Sequence, residues 1–178
     1  AYQLVIASSA SNLASGQYDV WNSTVVKSAT SQLGKYTGKK LQPAQIYYWR
    51  VKVWDKNNQA SEWSDQQQFA TGIFAKEDWS NAKWIGYEEL LDSMKVIPGV
   101  HAPLVNVLGN KCMQRPITPL FRKEFAVSKK IKNALLFITG LGQYEVSING
   151  STVGNSFLAP GWTYFDKTVL YNVYNVAE

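Results

Sequence analysis

Few side chains in this sequence have the types and the spacing that catalysis requires. The single cysteine, Cys112, and the single histidine, His101, could form a nucleophile and its base. Both lie in a stretch interrupted by proline and glycine, with no third group at a spacing that would orient the histidine. One thiol and one imidazole also supply too few ligands for a zinc cluster. We therefore predict no nucleophilic centre here.

The carboxylates suggest no acid–base pair either. Glu88, Glu89 and Asp92 fall on a predicted exposed turn, whereas Glu124 and Glu145 lie in strand patterns beside polar residues. The segment 55–58 (Asp-Lys-Asn-Asn) offers oxygen ligands for calcium, but this composition is far more typical of a plain turn. We predict no catalytic residue, no metal site and no cofactor.

Aromatic residues near the end of the chain are better candidates for binding. Trp162, Tyr164 and Phe165 follow Pro160-Gly161 in a predicted loop. Exposed aromatic faces can pack against the C–H groups of a pyranose, so these three residues are candidate carbohydrate contacts. Docking onto another domain is the alternative, and it is the interpretation we favour.

Composition excludes several classes of protein. The chain has 178 residues, of which 46% are hydrophobic and 17% charged, with a net charge of +5. The hydrophobic fraction is too high for a disordered chain, and the charged fraction is too low for a coiled coil. No apolar run is long enough to span a membrane. The basic residues are dispersed, which argues against nucleic-acid binding.

The elements that must position these residues are predicted to be β-strands. Strands are predicted at 2–7, 19–26, 33–37, 46–54 and 67–71, with a polar connection at 8–16. In the fourth strand, alternation sets Tyr47 and Trp49 on one face and Tyr48 on the opposite, outer face. Leu41-Gln42-Pro43 before Tyr47 is typical of a tyrosine corner, in which the phenol hydroxyl bonds back to the corner.

The second half of the chain repeats the β pattern after an interruption. Residues 73–86 form a linker whose tryptophans, Trp79 and Trp84, we expect to pack and stiffen the joint, and residues 87–119 read as an insertion loop. Strands are predicted at 121–127, 134–140, 143–148 and 151–154. Asn149-Gly150 between the last two predicts a type I′ hairpin turn.

Several motifs in fixed order resemble a known family. The upstream half carries Tyr2-Gln3, Val20–Ser23, Tyr47–Val51, Trp63-Ser64, Phe69–Gly72 and Lys83–Ile85. The downstream half carries Phe121–Phe125, Thr139–Glu145, Ile148–Gly150 and Leu158–Thr163. The first set resembles a fibronectin type III domain, with Trp49 and Trp63 as packing residues. The whole resembles the N-terminal modules of bacterial α-L-rhamnosidases of glycoside hydrolase family 78.

The resemblance implies an all-β chain of two sandwich domains in tandem. A fibronectin-III-like domain would occupy 1–72 and lack its first strands, leaving an unpaired edge near 33–37. A jelly-roll or galactose-binding-like sandwich would begin at 120 and be cut short near the C-terminus. Family members hydrolyse terminal α-L-rhamnose with inversion, using two carboxylates on a C-terminal (α/α)6 barrel whose helical pattern does not appear here.

We therefore expect a non-catalytic N-terminal fragment of such an enzyme. Its partners would be the barrel of the same polypeptide and a rhamnose-containing carbohydrate, with no nucleic acid and no membrane span. A periplasmic or extracellular location would suit a bacterial glycan-degrading enzyme. The alternatives are a carbohydrate-binding or adhesion module without enzymatic activity, and a purely structural spacer.

Overall fold

Regular structure among the described residues is almost entirely antiparallel β-strand, which confirms the predicted all-β class. The computed structural model describes residues 1–30, 32, 34–86 and 118–177. The strands are β1 (Tyr2–Ala7), β2 (Trp21–Asn22), β3 (Ile46–Val53), β4 (Gln67–Ala70), β5 (Leu135–Ile138), β6 (Ser147–Ile148), β7 (Ser151–Thr152) and β8 (Asn172–Asn175). The same described ranges contain one α-helix, α1 (Ala10–Ala14), and one 3-10 helix (Lys76–Trp79).

The chain divides into two compact units. One unit combines Ala1–Ser80, called the first region, with Ile131–Glu178, called the second region, and the other unit is Asn81–Lys130. The predicted insertion loop at 87–119 lies outside the described residues, apart from its last two positions. No helix among the described residues has the length and apolar character needed to cross a bilayer.

The first region is built around one antiparallel sheet in the order β2-β1-β3-β4. Its centre is the long pairing of β1 with β3, which runs from Tyr2 opposite Val53 to Ala7 opposite Tyr48. Both strands are rich in β-branched and aromatic residues, which suit a pleated, half-buried surface. The predictions of strands at 2–7, 46–54 and 67–71 are therefore confirmed, within one residue at each end.

Two strand predictions for the first region are wrong in whole or in part. The strand predicted at 19–26 shrinks to the two residues of β2, followed by an isolated bridge between Val26 and Tyr2. Residues 34–37 form no strand, while Leu33 lies outside the described residues. Local composition favoured strand in both segments, but neither has a long partner strand beside it, and β-pairing is what stabilises a strand.

A short helix covers part of the sheet where the sequence predicted a plain connection. The Ser9 side chain accepts a hydrogen bond from the backbone N–H of Asn12, which is the usual N-cap arrangement. Leu13 is only 1% exposed and forms a cluster with Val5 and Ala7 from β1. One buried leucine therefore anchors a helix too short to be stable alone.

The same cluster corrects the expected orientation of Tyr48. Alternation placed Tyr48 on an outer face, yet it packs against the cluster of Val5, Ala7 and Leu13. Periodicity separates the two faces of a strand, but it does not say which face another element will cover.

The second region consists of two small antiparallel ladders. β5 pairs with β8 from Leu135 opposite Asn175 to Ile138 opposite Asn172, and β6 pairs with β7. Asn149 and Gly150 both have positive φ, at 52° and 82°, as a type I′ turn requires. The predicted hairpin is confirmed, although its strands are shorter than the ranges 143–148 and 151–154.

One further strand prediction fails in the other compact unit. Residues 121–127 form no strand, and Phe121 and Phe125 are 54% and 74% exposed. Their alternating pattern predicts a strand, but none of the described residues pairs with this segment.

Candidate functional site

The candidate carbohydrate contacts lie on an exposed loop of the second region, residues 157–165, called the aromatic loop. Trp162 is 76% exposed and Tyr164 is 66% exposed, whereas Phe165 is half-buried. The rings of Trp162 and Phe165 are 5.7 Å apart between centroids and tilted by 38°. The structure therefore brings two of the three predicted residues together, with the indole face largely open to solvent.

The backbone gives this loop a defined shape. Leu158 and Gly161 have positive φ, at 59° and 104°, on either side of a cis peptide bond between Ala159 and Pro160. The Ala159 side chain is buried, and its carbonyl accepts a hydrogen bond from the N–H of Tyr144 at 3.1 Å. The carbonyl of Tyr164 accepts hydrogen bonds from the next turn of the chain, so Trp162 projects from a fixed loop.

Tyr144 connects the aromatic loop to the β5–β8 ladder. Its hydroxyl lies 3.5 Å from the hydroxyl of Tyr174 on β8, and Asn172 donates a hydrogen bond to that second hydroxyl at 3.0 Å. Partial burial, followed by the hydrogen bond to Tyr174, raises the pKa of Tyr144 above its ordinary value of 10.0. Tyr144 therefore stays neutral at physiological pH and acts as a hydrogen-bonding support.

Tyr47 occupies the corner position that its motif requires. The backbone N–H of Gln42 donates a hydrogen bond to the Tyr47 hydroxyl at 2.9 Å, and the side chain is only 4% exposed. The Tyr47 ring also stacks on Phe69 with 5.6 Å between centroids. Thr71, another buried residue, donates its hydroxyl to the Gln42 carbonyl at 2.6 Å and so fastens the same corner.

The two tryptophans predicted for packing, Trp49 and Trp63, lie on opposite faces of the first region's sheet. Trp49 pairs with Ile6 and faces the side of Tyr47. Trp63 packs on the side of the buried cluster, where the Arg50 guanidinium lies 4.7 Å from its ring centroid. Arg50 also donates a hydrogen bond to the Tyr18 hydroxyl at 3.0 Å. Its guanidinium therefore contacts both Tyr18 and Trp63 on this face, the second through a cation–π interaction.

Sequence reasoning missed the residue that joins the two regions, Tyr171. The backbone N–H of Ile73 donates a hydrogen bond to the Tyr171 hydroxyl at 2.8 Å, across 98 positions of sequence. Trp79 meets the Tyr171 ring edge to face, with 5.4 Å between centroids. Gly72 lies so close to the hydroxyl that a β-carbon there would overlap it. No local pattern identifies a partner at this separation.

The two linker tryptophans therefore differ. Trp79 is half-buried against Tyr171, but Trp84 is 65% exposed. The expectation that Trp84 packs at the joint stays a prediction.

Three acidic side chains, those of Asp19, Asp55 and Asp78, accept hydrogen bonds from nearby backbone N–H groups. Asp55 Oδ1 accepts the N–H groups of Asn57 and Gln59, both at 2.8 Å, which makes 55–58 the plain turn that its composition favours. Partial burial alone would raise the pKa of Asp19, but hydrogen bonds from the Ser8 hydroxyl and N–H lower it overall. A general acid needs the opposite shift.

The described residues also hold no group of three or more histidine, cysteine and acidic side chains that could bind a metal ion. His101, Cys112 and the acidic cluster at 88–92 lie outside the described residues.

Two family descriptions match the chain in sequence order. "Rha78A-like, N-terminal immunoglobulin domain" covers residues 1–75, and "Alpha-L-rhamnosidase N-terminal domain" covers residues 129–178. Together they match the first region and the second region with almost the boundaries that the structure gives.

Proteins named α-L-rhamnosidase are similar to this chain over almost its whole length. An α-L-rhamnosidase of Formosa agariphila is 36% identical over all of this chain and 19% of that protein. An α-L-rhamnosidase of Alteromonas sp. is 33% identical over 99% of this chain and 18% of that protein. The structure of an α-L-rhamnosidase from Dictyoglumus thermophilum superimposes with a TM-score of 0.74 at 36% identity, covering 99% of this chain and 19% of that one. The chain spans about a fifth of the length of the relatives it matches.

Proposed function

The chain comprises the two N-terminal domains of the α-L-rhamnosidase family, and we propose that it is the non-catalytic part of a glycoside hydrolase that removes terminal α-L-rhamnose. The observation that carries this proposal is the alignment of the entire chain with only 18–19% of named α-L-rhamnosidases. Inverting hydrolysis needs two carboxyl groups roughly 6.5–9.5 Å apart. We assign that pair to a C-terminal (α/α)6 barrel of the same polypeptide.

A comparison of two polypeptides tests whether the 178-residue chain is the non-catalytic part of the enzyme. The polypeptide of the complete gene should release p-nitrophenol from p-nitrophenyl α-L-rhamnoside, and its first sugar product should be the β-anomer by NMR. The 178-residue chain should release none above the rate of a buffer blank. Hydrolysis by the short chain would contradict the proposal, as would a complete polypeptide that cleaves other glycosides and not this one.

Within that enzyme we assign the aromatic loop to docking on the barrel. Phe157 is 90% exposed, Trp162 is 76% exposed and the adjoining Leu158 is 49% exposed. These three exposed apolar side chains present a larger surface than stacking on a single pyranose ring requires. Exposed hydrophobic side chains grouped in this way are typical of surfaces that another domain covers. Carbohydrate contact by Trp162, Tyr164 and Phe165 is the second candidate, favoured by the open indole face.

The variants Phe157→Ala and Trp162→Ala separate these two roles. If the loop docks, each should destabilise the complete polypeptide by about 1–2 kcal/mol, as interface aromatics do. The same substitutions in the 178-residue chain should stay within about 0.5 kcal/mol, because the side chains are already exposed there. A several-fold rise in KM for Trp162→Ala, with unchanged stability and an unaffected Phe157→Ala variant, would instead identify a carbohydrate contact.

A further inference from the structure

The turn between β6 and β7 contains two residues whose types and spacing permit a reaction of the backbone itself. Asn149 is the one asparagine in the sequence that precedes a glycine. When a backbone nitrogen attacks the carboxamide of the preceding asparagine, a β-carbon on the attacking residue obstructs the approach, and glycine has none. The pair therefore brings an electrophilic carbon and a nucleophilic nitrogen together with little steric hindrance.

The structure leaves the attacking nitrogen open to solvent. Asn149 and Gly150 are both exposed, and a β-carbon built on Gly150 would meet none of the described atoms within 4 Å. No backbone carbonyl among the described residues accepts a hydrogen bond from the Gly150 N–H. Hydroxide can therefore reach this N–H and remove its proton.

The hairpin that carries the turn is short enough to open. Two residue pairs join β6 to β7, and the N–H of Val153 adds one bond to the carbonyl of Val146 at 2.9 Å. Two-stranded hairpins of this size are marginal in water, and such segments open locally at a low cost in free energy. Opening releases Asn149 from the left-handed backbone conformation, in which its φ is 52°, so that its carboxamide can turn toward the next nitrogen.

We propose that Asn149 is a deamidation site, at which the second region is modified through a cyclic imide. The deprotonated Gly150 nitrogen forms a bond to Cγ of Asn149, the Cγ–Nδ2 bond breaks, and Nδ2 takes a proton from water and leaves as ammonia. Water then opens the imide at one of its two carbonyls. Opening at Cγ gives an ordinary aspartyl residue, whereas opening at the former backbone carbonyl directs the chain through Cγ as an isoaspartyl linkage. Water is the sole co-reactant, and nothing is oxidised or reduced.

The isoaspartyl product should no longer support the turn. A two-residue type I′ turn needs positive φ at both central residues, and the isoaspartyl linkage inserts a carbon atom into the backbone between them. The effect should reach β8, because a β-carbon on Gly154, just after β7, would overlap the ring of Tyr174. The end of the hairpin therefore packs directly on Tyr174, and loss of the turn should loosen that contact.

Peptide mapping of the aged 178-residue chain tests the proposal without any measurement of rhamnoside hydrolysis, so its outcome is independent of the proposed enzyme activity. The chain is incubated in mildly alkaline buffer at physiological temperature. The peptide that contains Asn149 should gain the mass that accompanies replacement of an amide by a carboxyl group. It should also become a substrate for an isoaspartyl O-methyltransferase, which does not methylate ordinary aspartate.

Two other asparagines are matched controls within the same sample. Asn58 is exposed and has a similar φ of 60°, but Gln59 follows it and donates its N–H to Asp55 Oδ1 at 2.8 Å. Asn155 is exposed in the second region and precedes a serine. Both should react at least about ten-fold more slowly than Asn149, because the residue after each carries a β-carbon.

The variant Asn149→Gly tests the structural consequence, because Gly-Gly also suits a type I′ turn but has no carboxamide. Ageing should accelerate hydrogen exchange at the Val153 amide several-fold in the unsubstituted chain and leave it unchanged in the variant. Equal reaction at Asn149, Asn58 and Asn155 would overturn the proposal, as would an aspartyl product without its isoaspartyl isomer, which would indicate direct hydrolysis. Unchanged exchange at Val153 in the isoaspartyl form would overturn the predicted loss of the turn.

Discussion

The first and second regions belong to one compact unit but are stabilised in different ways. Among the described residues, the buried hydrophobic side chains of the first region are Val5, Ile6, Ala7, Leu13, Ile46 and Tyr47, whereas the second region has only Ala159. The second region instead exposes large apolar residues along the aromatic loop and at Leu141 and Leu170. The first region therefore has a core of its own, and the second does not.

This difference shows which contacts the second region depends on. Its β5–β8 ladder has four paired positions, and isolated two-stranded ladders are marginal in water. Tyr171 fastens it to the first region through the Ile73 amide and Trp79. We infer that the first region folds as the stable part of the chain, and that the second gains order from this joint and from the surface that covers its aromatic loop.

A matched pair of leucine truncations tests the comparison with the largest expected effect. Leu13→Ala should destabilise the chain by about 2–5 kcal/mol, because it empties a site that is 99% buried in the first region's core. Leu141→Ala, at a site 60% exposed in the second region, should cost less than about 0.5 kcal/mol. Urea unfolding followed by tryptophan fluorescence measures both. Similar costs would mean that the two regions do not differ in burial.

Two glycine substitutions test packing inside the second region. Gly154 and Gly150 both have positive φ, at 78° and 82°, so alanine at either costs about 1–2 kcal/mol of strain. A methyl group at Gly154 would also overlap the Tyr174 ring, whereas none of the described atoms lies within 4 Å at Gly150. Gly154→Ala should therefore lower the thermal unfolding temperature more than Gly150→Ala. Equal shifts would show that Tyr174 is free to move aside.

Tyr171→Phe tests the joint between the regions. It removes the hydroxyl that accepts the Ile73 N–H but keeps the ring beside Trp79, so the cost should be about 1 kcal/mol. Hydrogen exchange should accelerate at the Ile73 amide and in β5 and β8, with β1 and β3 amides unchanged. Acceleration throughout β1 and β3 would show instead that the first region is not independently stable.

The smallest effect concerns the pH dependence of the first region. The Asp19 pKa lies below its ordinary value of 3.8, so its contribution to stability is present above pH 3.8 and is lost as the pH falls through the folded value. Asp19→Asn should therefore flatten the loss of stability below pH 3.8. Ser8→Ala, which removes the hydroxyl donor, should flatten it partly. Unchanged acid unfolding midpoints in both variants would contradict this assignment.

The strands that were predicted over their full length are those with strong local patterns and long partners. β1 and β3 combine β-branched residues with strict alternation, and the hairpin turn depends only on Asn149-Gly150. The predictions failed where the deciding interaction is distant. Residues 10–14, inside the predicted connection, form a helix because Leu13 packs against Val5 and Ala7 of β1. Residues 121–127 have a strand pattern, but none of the described residues pairs with them.

Some features of the candidate site could likewise be predicted from the sequence, and others could not. The aromatic loop could be identified from Pro160-Gly161 and the aromatic residues that follow, but the contact between Trp162 and Phe165 and the exposure of each ring required coordinates. Sequence alone determined the strand periodicity, the turn and corner residues and the family, because these depend on residue type and short spacing. Only the tertiary structure decided which sheet face is covered, which tryptophan packs and where Tyr171 binds, because such contacts join residues far apart in the chain.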